Sequence, residues 1–243
     1  EKTISTSNQG SHMIITADVI ASIAGRRVND NMVSLCLGLQ KGGEEAGLTQ
    51  PHRFAMFMAQ LTHESGRFRY DREIWGPTEA QKRYEGRKDL GNTQKGDGSL
   101  FRGYTAMQIT GRANTTKFYK WCKERFEFVP DFVKEPHLMN SDPWEGIGPI
   151  WYWMAGKPVS LNVSADAGDF LLNTKLVNGG YNGLDDRWAC YARAGLVLLN
   201  EDPNNLKYYQ ARNHLKADNV MGPNTFKVMH KDLLKLPPIK FKD

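Results

Sequence analysis

The chain of 243 residues is poor in cysteine, with only Cys36, Cys122 and Cys190. None belongs to a CxxC pair and each has apolar or aromatic neighbours, which excludes a disulfide framework or a zinc cluster and points to buried thiols made in a reducing compartment. No apolar run approaches the roughly 20 residues a membrane span requires. A phosphate-binding glycine loop, a nucleic-acid-binding motif, an internal repeat and a low-complexity tract are all missing, which removes nucleotide chemistry, sequence-specific nucleic-acid recognition and solenoid architecture. His63-Glu64 begins like a helical zinc-protease pattern, but the fourth residue after His63 is Arg67 rather than a second histidine. No metal and no cofactor is therefore expected. After Met13 there is no basic leader followed by an apolar stretch, so synthesis in the cytoplasm is expected, and residues 1–12 read as a tag or cloning remnant.

What the chain does have is a formal net charge of +5. A basic balance favours a polyanionic partner, whether nucleic acid, a membrane surface or an anionic cell wall, and does not choose among them.

The most informative stretch is Gln60–Glu73, QLTHESGRFRYDRE. Pro51 can open a helix, where its missing N–H is not needed, and Phe54, Phe57, Met58 and Leu61 recur at helical spacing as an apolar stripe. Counting on around the helix puts Glu64 at the edge of that stripe, just before Ser65-Gly66 ends it. Partial desolvation and the negative helix end both favour the protonated form of a carboxyl there, as a general acid requires. The bland alternative is a surface glutamate paired with Arg67 or Arg69. Glu73 follows nine residues later, on a run expected to be extended, with Arg69, Asp71 and Glu73 on one face and Phe68, Tyr70 and Arg72 on the other. Two carboxylates flanking a short turn suit glycoside hydrolysis.

Around this stretch the pattern is mostly helical. Thr16 can cap a helix bearing Val19, Ile20 and Ile23, and Asp30 or Asn31 one bearing Met32, Leu35, Cys36 and Leu39. Thr78 and Gln81 have capping-box spacing. From Tyr84 to Gly111 the chain turns rich in glycine and short polar residues, with Gly96-Asp97-Gly98 as a hairpin turn, and reads as a small β-rich lobe. Helix resumes with Asp142 as cap, Pro143 in the first turn, and Trp144, Ile147, Trp151 and Met154 on one face. Asn178-Gly179-Gly180 and Asn182-Gly183 mark tight turns, either a plain connection or a place where Asn178 meets an N-acetyl group.

Three separated segments now carry a resemblance. HESGRFRYDRE resembles the His-Glu-Ser-Gly-Gly signature of glycoside hydrolase family 19 with a second Glu nine residues on; FRGYTAMQITGRANT resembles that family's Arg-Gly-x-x-x-x-Gln-x-Thr-Gly-Arg-x-Asn block; LVNGGYNGLDDR resembles its Asn-Gly-Gly turn with Asn-Gly-x-x-Asp-Arg. The likeness covers roughly residues 50–190 and is nearest the family's phage endolysin branch. It implies a mainly α, α+β lysozyme-like fold with a helical lobe, a small β-rich lobe and a cleft between them. It implies Glu64 as general acid, a second carboxylate activating water with inversion, and substrate or water contacts from Tyr104, Gln108, Thr110, Asn114, Asn178 and Arg187. The second carboxylate is Glu73 by the endolysin spacing and Glu85 by that of the plant chitinases. Arg67 departs from the signature, replacing its second glycine.

LKADNVMGPNTFKVMHKDLL resembles the closing half of a small peptidoglycan-binding module, with Asn219 where that module has glycine, an exchange a left-handed turn accepts. The expected division is thus a catalytic domain over 13–200 and a helical, basic C-terminal segment over 201–243. The expected protein is a monomeric endolysin that cleaves the β-1,4 glycan of peptidoglycan, is released from the host bacterial cytoplasm through a membrane pore, and has no nucleic-acid partner and no stable membrane association. A chitinase, a lytic transglycosylase and a non-catalytic wall-binding protein are the alternatives.

Overall fold

The structure, a computed structural model, describes residues 12–74 and 76–243. The expected tag, apart from His12, lies outside the described residues. Among the described residues twelve α-helices follow in chain order: α1 (Ala17–Ala24), α2 (Asp30–Gly42), α3 (Pro51–Glu64), α4 (Glu79–Tyr84), α5 (Asp97–Leu100), α6 (Arg112–Lys123), α7 (Trp144–Ala155), α8 (Asn162–Asp166), α9 (Phe170–Asn178), α10 (Leu184–Leu198), α11 (Leu206–Arg212) and α12 (Pro223–Leu234). No described helix is long and apolar enough to cross a membrane.

The caps follow side-chain chemistry. Thr16 accepts from the Val19 amide at the start of α1. At α2 the cap is Asn29, one residue before the expected candidates, because its Oδ1 reaches the Met32 amide. Thr78 and Gln81 form the complete capping box of α4. Asp142 does not cap α7, which starts at Trp144 with no side-chain cap.

Helix α3 is the axis of the molecule. The expected apolar stripe is only part of its buried surface: from Phe54 to Thr62 every residue is buried, because α10 packs along it and α8, α9 and α12 close the other sides. A buried Phe or Met side chain contributes about 1.5–3 kcal/mol, so Phe54, Phe57 and Met58, each at most 1 % exposed, fasten the helix that ends in Glu64. Helices α2 and α7 cross so closely that a β-carbon at Gly38 would lie 2.1 Å from the Gly146 carbonyl carbon, and one at Gly146 would lie 1.9 Å from the Ser34 carbonyl oxygen. Only glycine permits that crossing.

A second core gathers Tyr104, Ile109, Phe118, Phe132, Trp144, Ile147 and Trp151 between α6 and α7. The β-rich lobe expected over 84–111 does not form: the described β pairing there consists of the isolated bridges Arg72–Tyr104 and Tyr104–Ile109. Gly96-Asp97-Gly98 leads into α5 instead of a hairpin. Side chains satisfy the backbone in place of a ladder: Glu85 accepts from the amides of Gly96 (2.7 Å) and Gly98 (2.9 Å), and Asp97 accepts from the Gln94 amide and from Arg112.

The C-terminal helices share the main core. Phe226 of α12 meets Phe170, Trp188 and Tyr191, and Met229 fills the space beside Gly195 on α10. Asn219 occupies a left-handed conformation, φ +61°.

Candidate active site

Glu64 is the last residue of α3, and its side chain remains 32 % exposed. Its ion-pair partner is Arg187, on the first turn of α10, rather than Arg67 or Arg69: Arg187 Nη2 donates to Glu64 Oε1 at 2.6 Å. Arg187 is itself 1 % exposed and is aimed by two neutral acceptors, Gln60 Oε1 at 2.7 Å and the Asn182 carbonyl at 3.0 Å. Gln60 in turn donates to Thr174 on α9. The chain Thr174–Gln60–Arg187–Glu64 places one carboxylate oxygen on a buried guanidinium. Glu64 Oε2 makes no hydrogen bond among the described residues and is the oxygen free to face a ligand.

The flanking residues are tied to α10 as well. His63 Nδ1 lies 2.7 Å from Asp186 Oδ2, and Arg67 Nη2 donates to Asp186 Oδ1 at 3.0 Å. Burial works against the charge of Asp186, but the His63 hydrogen bond and the Arg67 charge outweigh it and hold the carboxyl below its ordinary range. The His63 ring lies against Gly183, where a β-carbon would come within 2.3 Å of it. Tyr152 on α7 has its phenol pushed up to about 12, first by burial and then by the Glu64 charge, with Arg187 opposing. It stays protonated and donates to the Val177 carbonyl.

The segment after Glu64 is not the simple extended run of the sequence reading. Gly66, Arg67 and Phe68 all have φ near +60°, a left-handed turn that L-residues with a β-carbon seldom adopt. Phe68 is sunk in the core at 1 % exposure while Tyr70 is 56 % exposed, so they do not share a face. Ser65 Oγ accepts from the Phe68 amide, and the side chains of Asn29 and Asn31 both donate to the Phe68 carbonyl. Extended backbone begins only at the Arg72–Tyr104 bridge.

That bridge delivers Glu73 to the second core. The Glu73 amide donates to the Gly103 carbonyl at 2.8 Å, and its carboxylate accepts from the Gly103 amide at 2.5 Å (Oε2) and the Tyr84 hydroxyl at 2.9 Å (Oε1). Gln108 is exposed and strained, φ +39°, with its amide group 2.9 Å from where a β-carbon of Gly103 would sit. Glu64 thus comes from the main core and Glu73 from the second one.

The remaining sequence candidates divide. Tyr104 is 2 % exposed with its hydroxyl turned to the Leu100 carbonyl, so it packs the second core. Asn114 Nδ2 donates to the Thr110 carbonyl across the first turn of α6, leaving its Oδ1 available. Asn178 Oδ1 accepts from the Asn182 amide and closes the turn that carries the Arg187 acceptor. Glu85 is committed to the two glycine amides of its loop. Sequence reasoning missed Gln60, Tyr84, Tyr152 and Asp186; Gln60, four residues before Glu64 and so on the same helix face, is the one that spacing could have found. Among the described residues no group of three or more His, Cys, Asp and Glu side chains converges as a metal site.

Over 185 residues the chain is 30 % identical to a "glycosyl hydrolase family 19 domain-containing protein" of Haemophilus influenzae, a match spanning 65 % of this chain and 86 % of that protein. Chitinase C from Streptomyces griseus superposes with a TM-score of 0.60 at 15 % identity, covering 79 % of this chain and 95 % of that one. A bacterial family 19 chitinase superposes with a TM-score of 0.58 at 15 % identity, covering 76 % and 94 %. At such identities the structural likeness speaks for the fold. No family model matches the chain.

Proposed function

Because the chain belongs to glycoside hydrolase family 19 and is therefore a glycoside hydrolase acting on a glycan, we propose that its substrate is the β-1,4 glycan backbone of bacterial peptidoglycan and that it serves as an endolysin. Glu64 acts as the general acid and Glu73 as the base that activates water, with inversion at the anomeric carbon. The observation that carries this reading is the unequal setting of the two carboxylates. Glu64 rests one oxygen on a buried guanidinium and keeps the other free, whereas Glu73 is pinned through both oxygens by two neutral donors, the Tyr84 hydroxyl and the Gly103 amide.

In the reaction, Glu64 Oε2 delivers its proton to the glycosidic oxygen as the C–O bond breaks, and Arg187 stabilises the carboxylate left behind. Such preorganised charge is worth more in a partly dry site than in water. Glu73 accepts a proton from the water that attacks the opposite face of the sugar, a geometry that needs carboxyl groups about 6.5–9.5 Å apart. Gln108, beside Gly103, and Asn114, whose Oδ1 is left over from its bond to the Thr110 carbonyl, orient that water or the substrate in this reading.

Peptidoglycan is favoured over chitin by the net charge of +5 and by the basic C-terminal segment, since peptide carboxylates make the wall anionic and chitin is neutral. The 201–243 segment, packed on the bundle through α12, adds wall affinity. A chitinase is the second reading, supported by the chitinases among the structural neighbours. Side-by-side assays of reducing-end release from purified peptidoglycan and from colloidal chitin separate the two: faster release from peptidoglycan supports the endolysin, and release from chitin alone overturns it.

A further inference from the structure

Tyr84 is the last residue of α4. Its phenol is half-buried and donates to Glu73 Oε1 at 2.9 Å. The other Glu73 oxygen accepts from the Gly103 amide at 2.5 Å. A carboxylate that removes a proton from water must present one lone pair to that water and must not rotate away from it. Here each oxygen gives one lone pair to a donor, from two separate segments of chain, and keeps the other.

The backbone that carries the phenol is fixed without it. Asn92, fully buried, donates to the Tyr84 carbonyl at 2.9 Å and accepts from the Arg112 amide at 3.0 Å, so it ties the end of α4 to the start of α6. At the other end of α4 the capping residue Gln81 sends Nε2 to the Ile74 carbonyl at 2.8 Å, one residue beyond Glu73. The segment from Glu73 to Tyr84 is therefore closed twice, by Gln81–Ile74 through the backbone and by Tyr84–Glu73 through the carboxylate. Burial, and then the hydrogen bond and charge of the neighbouring Glu73, raise the phenol above its ordinary range, so it keeps its proton and remains a donor at neutral pH.

We propose that Tyr84 is a positioning residue of the hydrolytic reaction, its hydroxyl and the Gly103 amide together holding the Glu73 carboxylate in the orientation that activates water. This rests on the assignment of Glu73 as base. The residue acts through Glu73 and does not touch the sugar, so it affects turnover and leaves substrate binding alone.

The test is a double-mutant cycle on the full chain with a soluble peptidoglycan glycan. Tyr84→Phe removes one oxygen from a residue whose backbone Asn92 holds, so the variant folds, and a thermal melt run in parallel establishes this. The expected result is a kcat lowered about tenfold, as for a misaligned general base, with KM changed by less than about twofold. In a Glu73→Ala background assayed with azide, which attacks the anomeric carbon to give a glycosyl azide while Glu64 protonates the leaving oxygen, adding Tyr84→Phe changes nothing, because no carboxylate is left to orient. A Tyr84→Phe enzyme within about twofold of the parent kcat overturns the proposal. So does an equal loss in both backgrounds, which would mean that Tyr84 acts on the fold or on the sugar. Near-normal activity of Glu73→Ala alone would strike at the base assignment, and the positioning role would fall with it.

Discussion

Arg187 holds Glu64 from the buried side. Nη2 lies 2.6 Å from Oε1, and the guanidinium is 1 % exposed against 32 % for the carboxylate. An arginine that deep needs its donors filled, and Gln60 and Asn182 fill them without adding negative charge. The positive charge is thereby left to Glu64. Removing it should slow turnover by roughly 10²–10³-fold, the cost typical of losing one preorganised donor. Arg187→Lys keeps the charge but cannot span Gln60, Asn182 and Glu64 at once, so its kcat should fall nearly as far, while the melting temperature drops less than in Arg187→Ala. Steady-state kinetics and thermal melts of both variants check this; a Lys variant with near-parent kcat would show that charge alone suffices.

Glu145 and Asp71 form a second carboxyl pair, between the first turn of α7 and the segment leading to Glu73. Burial, then the hydrogen bond and charge of Asp71, push Glu145 up to about 8. Burial also opposes the charge of Asp71, but its hydrogen bonds with Arg72 and Glu145 prevail and hold it low. Ser34 Oγ and the carboxylate of Asp142 also face the pair. An acid that titrates near 4.5 when free and near 8 when folded gives stability that is complete below the lower value and lost as pH climbs through the upper one. The melting temperature should therefore decline between about pH 5 and pH 9 more steeply in the parent than in Glu145→Gln, whose amide donates to Asp71 at every pH. Parallel slopes would contradict the shared proton.

The two candidates for second carboxylate should fail in different ways. Glu73→Ala should abolish turnover with partial azide rescue and only a modest loss of stability. Glu85→Ala leaves the exposed Gly96 amide and the amide of buried Gly98 without an acceptor, so it should cost about 1–3 kcal/mol and leave kcat within a few fold. Loss of activity with azide rescue at Glu85 and a normal Glu73→Ala enzyme would reverse the roles.

How far the sequence carried this picture is clearest at particular residues. Thr16, Pro51 and the Thr78–Gln81 box were legible because their signals are local, and Glu64 emerged at the end of α3 by counting around one helix. What stayed hidden depends on distant partners. Nothing in HESGRFRY announces that Arg67 and Phe68 adopt left-handed backbone, because that conformation is imposed from outside by Asn29, Asn31 and Asp186. The glycine-rich 84–111 stretch looked like hairpins, yet its carboxylates take up the turn amides and no ladder is needed. The pairing of Glu64 with Arg187 spans more than a hundred residues.

The C-terminal segment calls for point changes in place of deletion, since α12 seals the main core. Phe226, 5 % exposed among Phe170, Trp188 and Tyr191, should lose about 3–5 kcal/mol on substitution by alanine, seen as a large drop in melting temperature. Lys227→Ala with Lys231→Ala, on the exposed side of the same helix, should leave the melt unchanged but reduce pelleting with purified cell walls, with cleavage of short soluble glycans unaffected. Pelleting unchanged by the lysine pair would remove wall binding from this helix.

The central claim is that Glu64 protonates a glycosidic oxygen of peptidoglycan while water takes the anomeric carbon. Mass spectrometry of peptidoglycan digested by the parent enzyme and by Glu64→Gln tests it directly. The account predicts fragments with reducing-end sugars from the parent and less than about a hundredth as many from the variant. Anhydro-muramyl ends, or a Glu64→Gln enzyme that keeps more than about a tenth of the activity, would contradict it.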